Sequence, residues 1–244
     1  MNVIIPREHG GWAMVIVPFL LGLGIGGFNF FQILAFVGTI LGYIGITPLL
    51  MMFRQKKWDK ELLMWMSIYF GVAFLFWLFP IIKFPGLILM ALSIIPFLLI
   101  NLYFAKIRNE RSVWNDFFAI SGMSIVGIMA FYIGTGEWNG IVSLLWFTNV
   151  LYFMGSVFHV KSFIREKNNH PFKWWSRAYH LLILLFPLAV QLPMLSLSFV
   201  PSAIKSWVIP LDVQFKPIQT GIIEIVNSFL FVVITIFVFR NYLL

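Results

Sequence analysis

The chain has 244 residues, 61% of them hydrophobic and 11% charged, with a mean hydropathy of +0.93. Too little charge remains to cover a soluble domain of this size, and the net +8 is spread over short loops, where membrane topology and lipid headgroups explain it better than nucleic acid does. The absence of cysteine excludes disulfides, thiolate catalysis and iron–sulfur clusters. Apolar stretches of about 17 to 25 residues recur from end to end without the period-two alternation of a barrel strand. The expected fold is therefore all-α, a polytopic membrane bundle forming a single transmembrane domain over residues 1–244.

Spans are expected near 12–28, 33–53, 62–80, 86–105, 117–135, 140–158, 179–194, 195–211 and 219–239. The stretch from His180 to Pro210 is long for one span and short for two, and Gln191 and Pro193 suggest a tight re-entry at its middle. With nine spans and the N-terminus inside, fifteen of the seventeen Lys and Arg fall on the cytoplasmic side, leaving Lys83 and Arg240 outside. Treating the ambiguous stretch as one span gives fourteen against three, so nine is the better count.

Ahead of the first span, Pro6-Arg7-Glu8-His9-Gly10-Gly11-Trp12 reads either as an interfacial anchor or as a set of acid–base groups, Glu8 and His9, at the mouth of a cavity. Gly22 and Gly26, and likewise Gly38 and Gly42, stand four apart, a spacing that lets helices pack closely. Arg54 to Glu61 forms a basic turn after the second span. Between the fourth and fifth spans, Lys106, Arg108 and Arg111 stand with Glu110, Asn115 and Asp116, which positive-inside topology alone does not call for. Ser112 is placed to cap the fifth helix; the alternative is a polar site wall.

The richest stretch runs from His159 to His180. If the sixth helix continues into the loop, Lys161 and Arg165 share a face and can grip a phosphate or carboxylate, and Arg177 and His180 are paired at the start of the seventh helix. Snorkelling at the interface is the competing reading. The histidines lack metal-ligand spacing, so no metal and no cofactor is expected. Glu224 in the last span, with Asn227 three residues on, is expected to face the bundle interior, because a carboxylate in lipid needs a partner.

The segment Pro6 to Met14, followed by Pro18-Phe19-Leu20-Leu21-Gly22, resembles the signature of the YwiC-like family of bacterial membrane proteins, and Arg108–Gly122 and Val160–His180 fit it too. A more distant resemblance, to UbiA-type prenyltransferases, implies nine helices around a cytoplasmic site. Where that superfamily carries Asn-Asp-x-x-Asp motifs for magnesium and prenyl diphosphate, this chain has the basic Arg54–Glu61 and Val160–Lys173. These resemblances imply a multi-pass protein of the bacterial cytoplasmic membrane that binds lipid and an isoprenoid or other amphiphile with an anionic head. The head would lie at Arg108, Arg111, Asn115, Asp116, His159, Lys161, Arg165, Arg177 and His180, with Glu8, His9 and Glu224 as the acid–base groups of a transferase if there is catalysis. The alternatives are a transporter or channel lined by Glu224, Asn149 and Asn101, or a non-catalytic factor of a respiratory or biosynthetic complex.

Overall fold

Capping residues set the helix boundaries. Asn29 and Gln32 form a reciprocal capping box at the start of the second helix, Asp59 accepts from the Glu61 amide ahead of the third, and Ser112 accepts from the Trp114 amide ahead of the fifth. Asn169 caps the seventh, where Pro171 sits in the first turn. In the computed structural model the described residues are 4–6, 9–213 and 215–243, with His9 described by its backbone alone. Arg7 and Glu8, and the side chain of His9, lie outside the described residues.

The helices are α1 (His9–Gly26), α2 (Phe30–Gln55), α3 (Lys60–Lys83), α4 (Leu87–Lys106), α5 (Val113–Thr135), α6 (Gly140–Ile164) and α7 (His170–Ala189). A 3-10 helix (Pro193–Phe199), α8 (Val200–Val208) and α9 (Pro217–Val238) complete the chain, and α9 runs on into a π-helical turn, Phe239–Leu243. No strand occurs among the described residues. Among the described residues six helices are long and apolar enough to cross a membrane: α2, α3, α4, α5, α6, and α9 with its π turn.

Three of the nine expected spans fall outside that set. The described part of α1 is a shorter apolar helix. The seventh helix begins at His170 rather than near 179, so its first eight residues carry Lys173 and Arg177. The segment expected to span over 195–211 is a short 3-10 helix followed by nine α-helical residues, and at a 1.5 Å rise α8 is only about 14 Å long. Gln191 at φ 61 and Pro193 lie in the turn between α7 and the 3-10 helix.

The chain divides into two compact units, Met1–Trp146 and Phe147–Leu244, the boundary falling inside α6. In the first unit α5 is the most buried helix, with α1 and α4 packed on it and α2 paired with α3. The α1–α5 crossing is close because it is lined by glycine. A Cβ on Gly22 would stand 2.0 Å from the Gly127 carbonyl oxygen, and one on Gly26 would stand 2.8 Å from that of Phe131. Gly38 packs similarly against Trp77, but Gly42 faces open space, so the second glycine pair supports one contact rather than two. Gln32, fully buried, donates to the carbonyls of Gly27 and Ala130 and so pins the start of α2 to α5. Exposed side chains of α3 and α4 such as Phe74, Leu75, Phe79, Leu89 and Leu99 are apolar, where a soluble helix would be charged.

At the end of the first unit where α2 and α4 finish, Arg54 meets Glu110 at 2.6 Å, and Asn101 donates to the Asn115 side chain at 3.0 Å. Asn115 in turn donates to the Glu110 carbonyl. These contacts tie the α4–α5 connection to its neighbours, and the half-exposed ion pair adds little stability in water.

Candidate functional site

In the second unit each helix turns a polar stripe inward. Tyr152, Ser156 and His159 follow one another by four and three residues on α6, and Ser176 and His180 are four apart on α7. Ser202 and Lys205 are three apart on α8; Glu224, Asn227 and Ser228 share a face of α9. Since apolar residues fill the rest of these helices, the stripes must satisfy one another.

Two connected groups result. In the first, the Tyr152 hydroxyl lies 2.9 Å from Ser228 Oγ and accepts from Asn227 Nδ2, which also donates to Ser202 Oγ at 3.0 Å. The Tyr152 ring stacks on Phe231 with centroids 3.7 Å apart. This group holds α6, α8 and α9 together. In the second, Glu224 lies about 10 Å along α9 from Pro217. One of its oxygens accepts from Ser156 at 2.6 Å and the other from Lys205 Nζ at 2.6 Å. His159 Nε2 stands 4.0 Å from that second oxygen. The carboxylate is interior, as its position in the sequence suggested, with its side chain 13% exposed.

His159 and His180 are buried at 1% and 0% exposure, their ring centroids 6.1 Å apart. His180 Nδ1 lies 2.7 Å from the Ser176 carbonyl, an acceptor, so Nδ1 is assigned the hydrogen. Among the described residues neither imidazole Nε2 has a hydrogen-bond partner, and the hydroxyls of Ser176, Ser198, Thr220 and Thr235 are likewise buried and unpaired. A native interior leaves few such atoms, and the His159 nitrogen stands beside the ion pair. Gly155 gives His180 its place: a Cβ there would stand 3.2 Å from Nε2.

The other sequence candidates are placed differently. Arg177 donates to the carbonyls of Ser206 and Ile209 and packs against Trp174 and Trp207, its guanidinium 5.3 and 5.5 Å from their ring centres. Lys173 donates to the Leu211 carbonyl. Both cations thus serve carbonyls that the end of α8 leaves without helical partners. Arg177 and His180 do not open α7 as a pair, because the helix starts at His170. Lys161 lies buried in the last turn of α6, and Arg165, whose amide bonds the Lys161 carbonyl just past the helix end, is exposed. In the first unit, Arg108 at φ 56 and Arg111 are exposed on the α4–α5 connection, and Asp116 lies half-buried in the first turn of α5.

Lys205 and Ser156 were not among the candidates. The signals for them were Lys205 three residues after Ser202 on a helix whose other face is apolar, and the 152–156–159 stripe on α6. Among the described residues no three His, Asp or Glu converge as metal ligands.

Residues 5–131 match the YwiC-like protein family. The chain is also 34% identical over 242 residues to the uncharacterized protein YwiC of Bacillus subtilis (strain 168), covering 98% of this chain and 100% of that one. The chain belongs to the YwiC-like family. A second relative of this YwiC-like chain is an uncharacterized protein of Haemophilus influenzae (strain ATCC 51907 / DSM 11121 / KW20 / Rd), 27% identical over 236 residues, 96% of this chain and 98% of that one. No solved structure matches this chain, and the UbiA-like architecture gains no support from that comparison.

Proposed function

We propose that this YwiC-like protein lies in the bacterial cytoplasmic membrane with its N-terminus inside and binds the polar head group of an amphiphile in the buried cluster of its second unit. The six spanning-length helices and the crowding of basic residues on alternate loops support the placement. The observation that carries the binding reading is the Lys205–Glu224 pair beside two buried imidazole nitrogens without a hydrogen-bond partner among the described residues. Exposed apolar side chains along α9, among them Ile225, Phe229 and Val233, offer a surface for the tail. Of the cations expected to receive an anionic head, Arg177 already serves backbone carbonyls, whereas Lys205 stands at Glu224, where an anion could displace or bridge the carboxylate.

The test is equilibrium binding of farnesyl diphosphate to the detergent-solubilised protein, with and without magnesium. Saturable binding that survives removal of magnesium is expected, because basic and imidazole groups stand where the metal-binding carboxylates of a prenyltransferase would be needed. Binding in neither condition contradicts an anionic isoprenoid head group.

A further inference from the structure

The chemistry of the head group can be narrowed from one atom, on the footing that the cluster is the amphiphile site proposed above. The Ser176 carbonyl can only accept, so the hydrogen on the His180 ring is on Nδ1, and in the neutral ring Nε2 is a bare lone pair. His180 is 0% exposed and Nε2 has no partner among the described residues. Ser156 Oγ and one N–H of Lys205 serve Glu224, and neither the other Lys205 hydrogens nor the unpaired Ser176 hydroxyl reaches this nitrogen. A second charge on the imidazole would find no balance, because Glu224 is already paired with Lys205 and no described ion pair involves His180.

What stands next to the lone pair is Gly155, the residue that adds no side chain there; an alanine methyl would press on Nε2 at 3.2 Å. The nitrogen therefore calls for a hydrogen-bond donor brought in from outside the chain. An ammonium donor would set a second cation beside Lys205 with a single carboxylate to share. A fully ionised phosphate and an ether have no hydrogen to give. We infer that the head group carries a hydroxyl, and that this hydroxyl donates to Nε2 of His180. The shared chemistry is an O–H, whether of an alcohol or of a singly ionised phosphate ester.

Binding of farnesol, farnesyl methyl ether and farnesyl phosphate to the full-length protein in detergent separates the outcomes. Farnesol is expected to bind at least about tenfold more tightly than its methyl ether, since the ether leaves the buried acceptor unmet. That ratio should fall close to one in His180→Phe, and Gly155→Ala should weaken farnesol several-fold. Farnesyl phosphate binding best at the pH where it keeps one O–H puts the donor on phosphorus and supports the inference; binding best as the dianion overturns it. Equal binding of alcohol and ether by the native protein also overturns it, leaving the amphiphile site intact and Nε2 served by water. If none of the three probes binds, the inference and the amphiphile reading fall together. Should His180→Phe not fold, the alcohol-to-ether ratio on the native protein still decides.

Discussion

Glu224→Gln lowers the thermal unfolding midpoint of the solubilised protein more than Lys205→Met does, and the double substitution restores most of the loss. Gln keeps the shape of the side chain and its contact with Ser156 but leaves the Lys205 ammonium, 7% exposed, without a described counter-charge. Breaking a buried pair from one side costs about 3–5 kcal/mol, because the remaining charge stays in a poor solvent. Lys205→Met is gentler for a structural reason. The carboxylate keeps Ser156 at 2.6 Å, and His159 Nε2 at 4.0 Å is close enough to move in as a second donor. Removing both charges together leaves neither partner as an unpaired ion, so the double variant approaches the native midpoint. Losses that simply add in the double variant would show that the two side chains are not coupled.

Gly22→Ala is expected to disrupt the first unit, whereas Gly42→Ala leaves it unchanged or slightly more stable. The new methyl at position 22 would lie 2.0 Å from the Gly127 carbonyl oxygen and 2.9 Å from Ala130 Cβ, so α1 and α5 must move apart. Backbone is what the methyl meets, and no rotamer change relieves it. Overpacking of this kind costs about 1–3 kcal/mol, and separating the helices also loosens the Gly26–Phe131 contact next along the seam. At position 42 nothing lies within 4 Å, so the methyl adds only helix propensity, about 1 kcal/mol in favour. Unfolding midpoints of the two variants in the same detergent decide the matter; equal shifts would mean that the close α1–α5 crossing does not form.

The sequence revealed what depends on one segment at a time. Apolar run lengths located the helices from α2 to α6, Ser112 announced the cap of α5, and the depth of Glu224 in its run told that it would face inward. Contacts between segments were less legible. The Gly22–Gly26 spacing signalled a close approach, but nothing local says that Gly127 is the partner. Lys205 counted only as one of the fifteen cytoplasmic basic residues, within the span expected over 195–211, and only the fold brings α8 against α9 so that it meets Glu224. Arg177 looked like a ligand for an anion for the opposite reason. The carbonyls it serves belong to the end of α8, thirty residues away in round terms, and exist as a target only because that helix stops at Val208. The polar stripe of Tyr152, Ser156 and His159 had a readable period, yet period alone does not distinguish a site from a helix contact, and here Tyr152 serves the contact while His159 faces the ion pair.

The most direct test of the head-group site is the amphiphile that the protein retains through purification. Native mass spectrometry of the wild-type protein and of the Lys205→Met/Glu224→Gln double variant, purified side by side from the same membranes, compares them without requiring the ligand to be known in advance. A defined amphiphile bound stoichiometrically to the wild type and lost from the folded double variant is the result predicted. The same species held equally by both proteins, or a wild type carrying only bulk lipid, would contradict it.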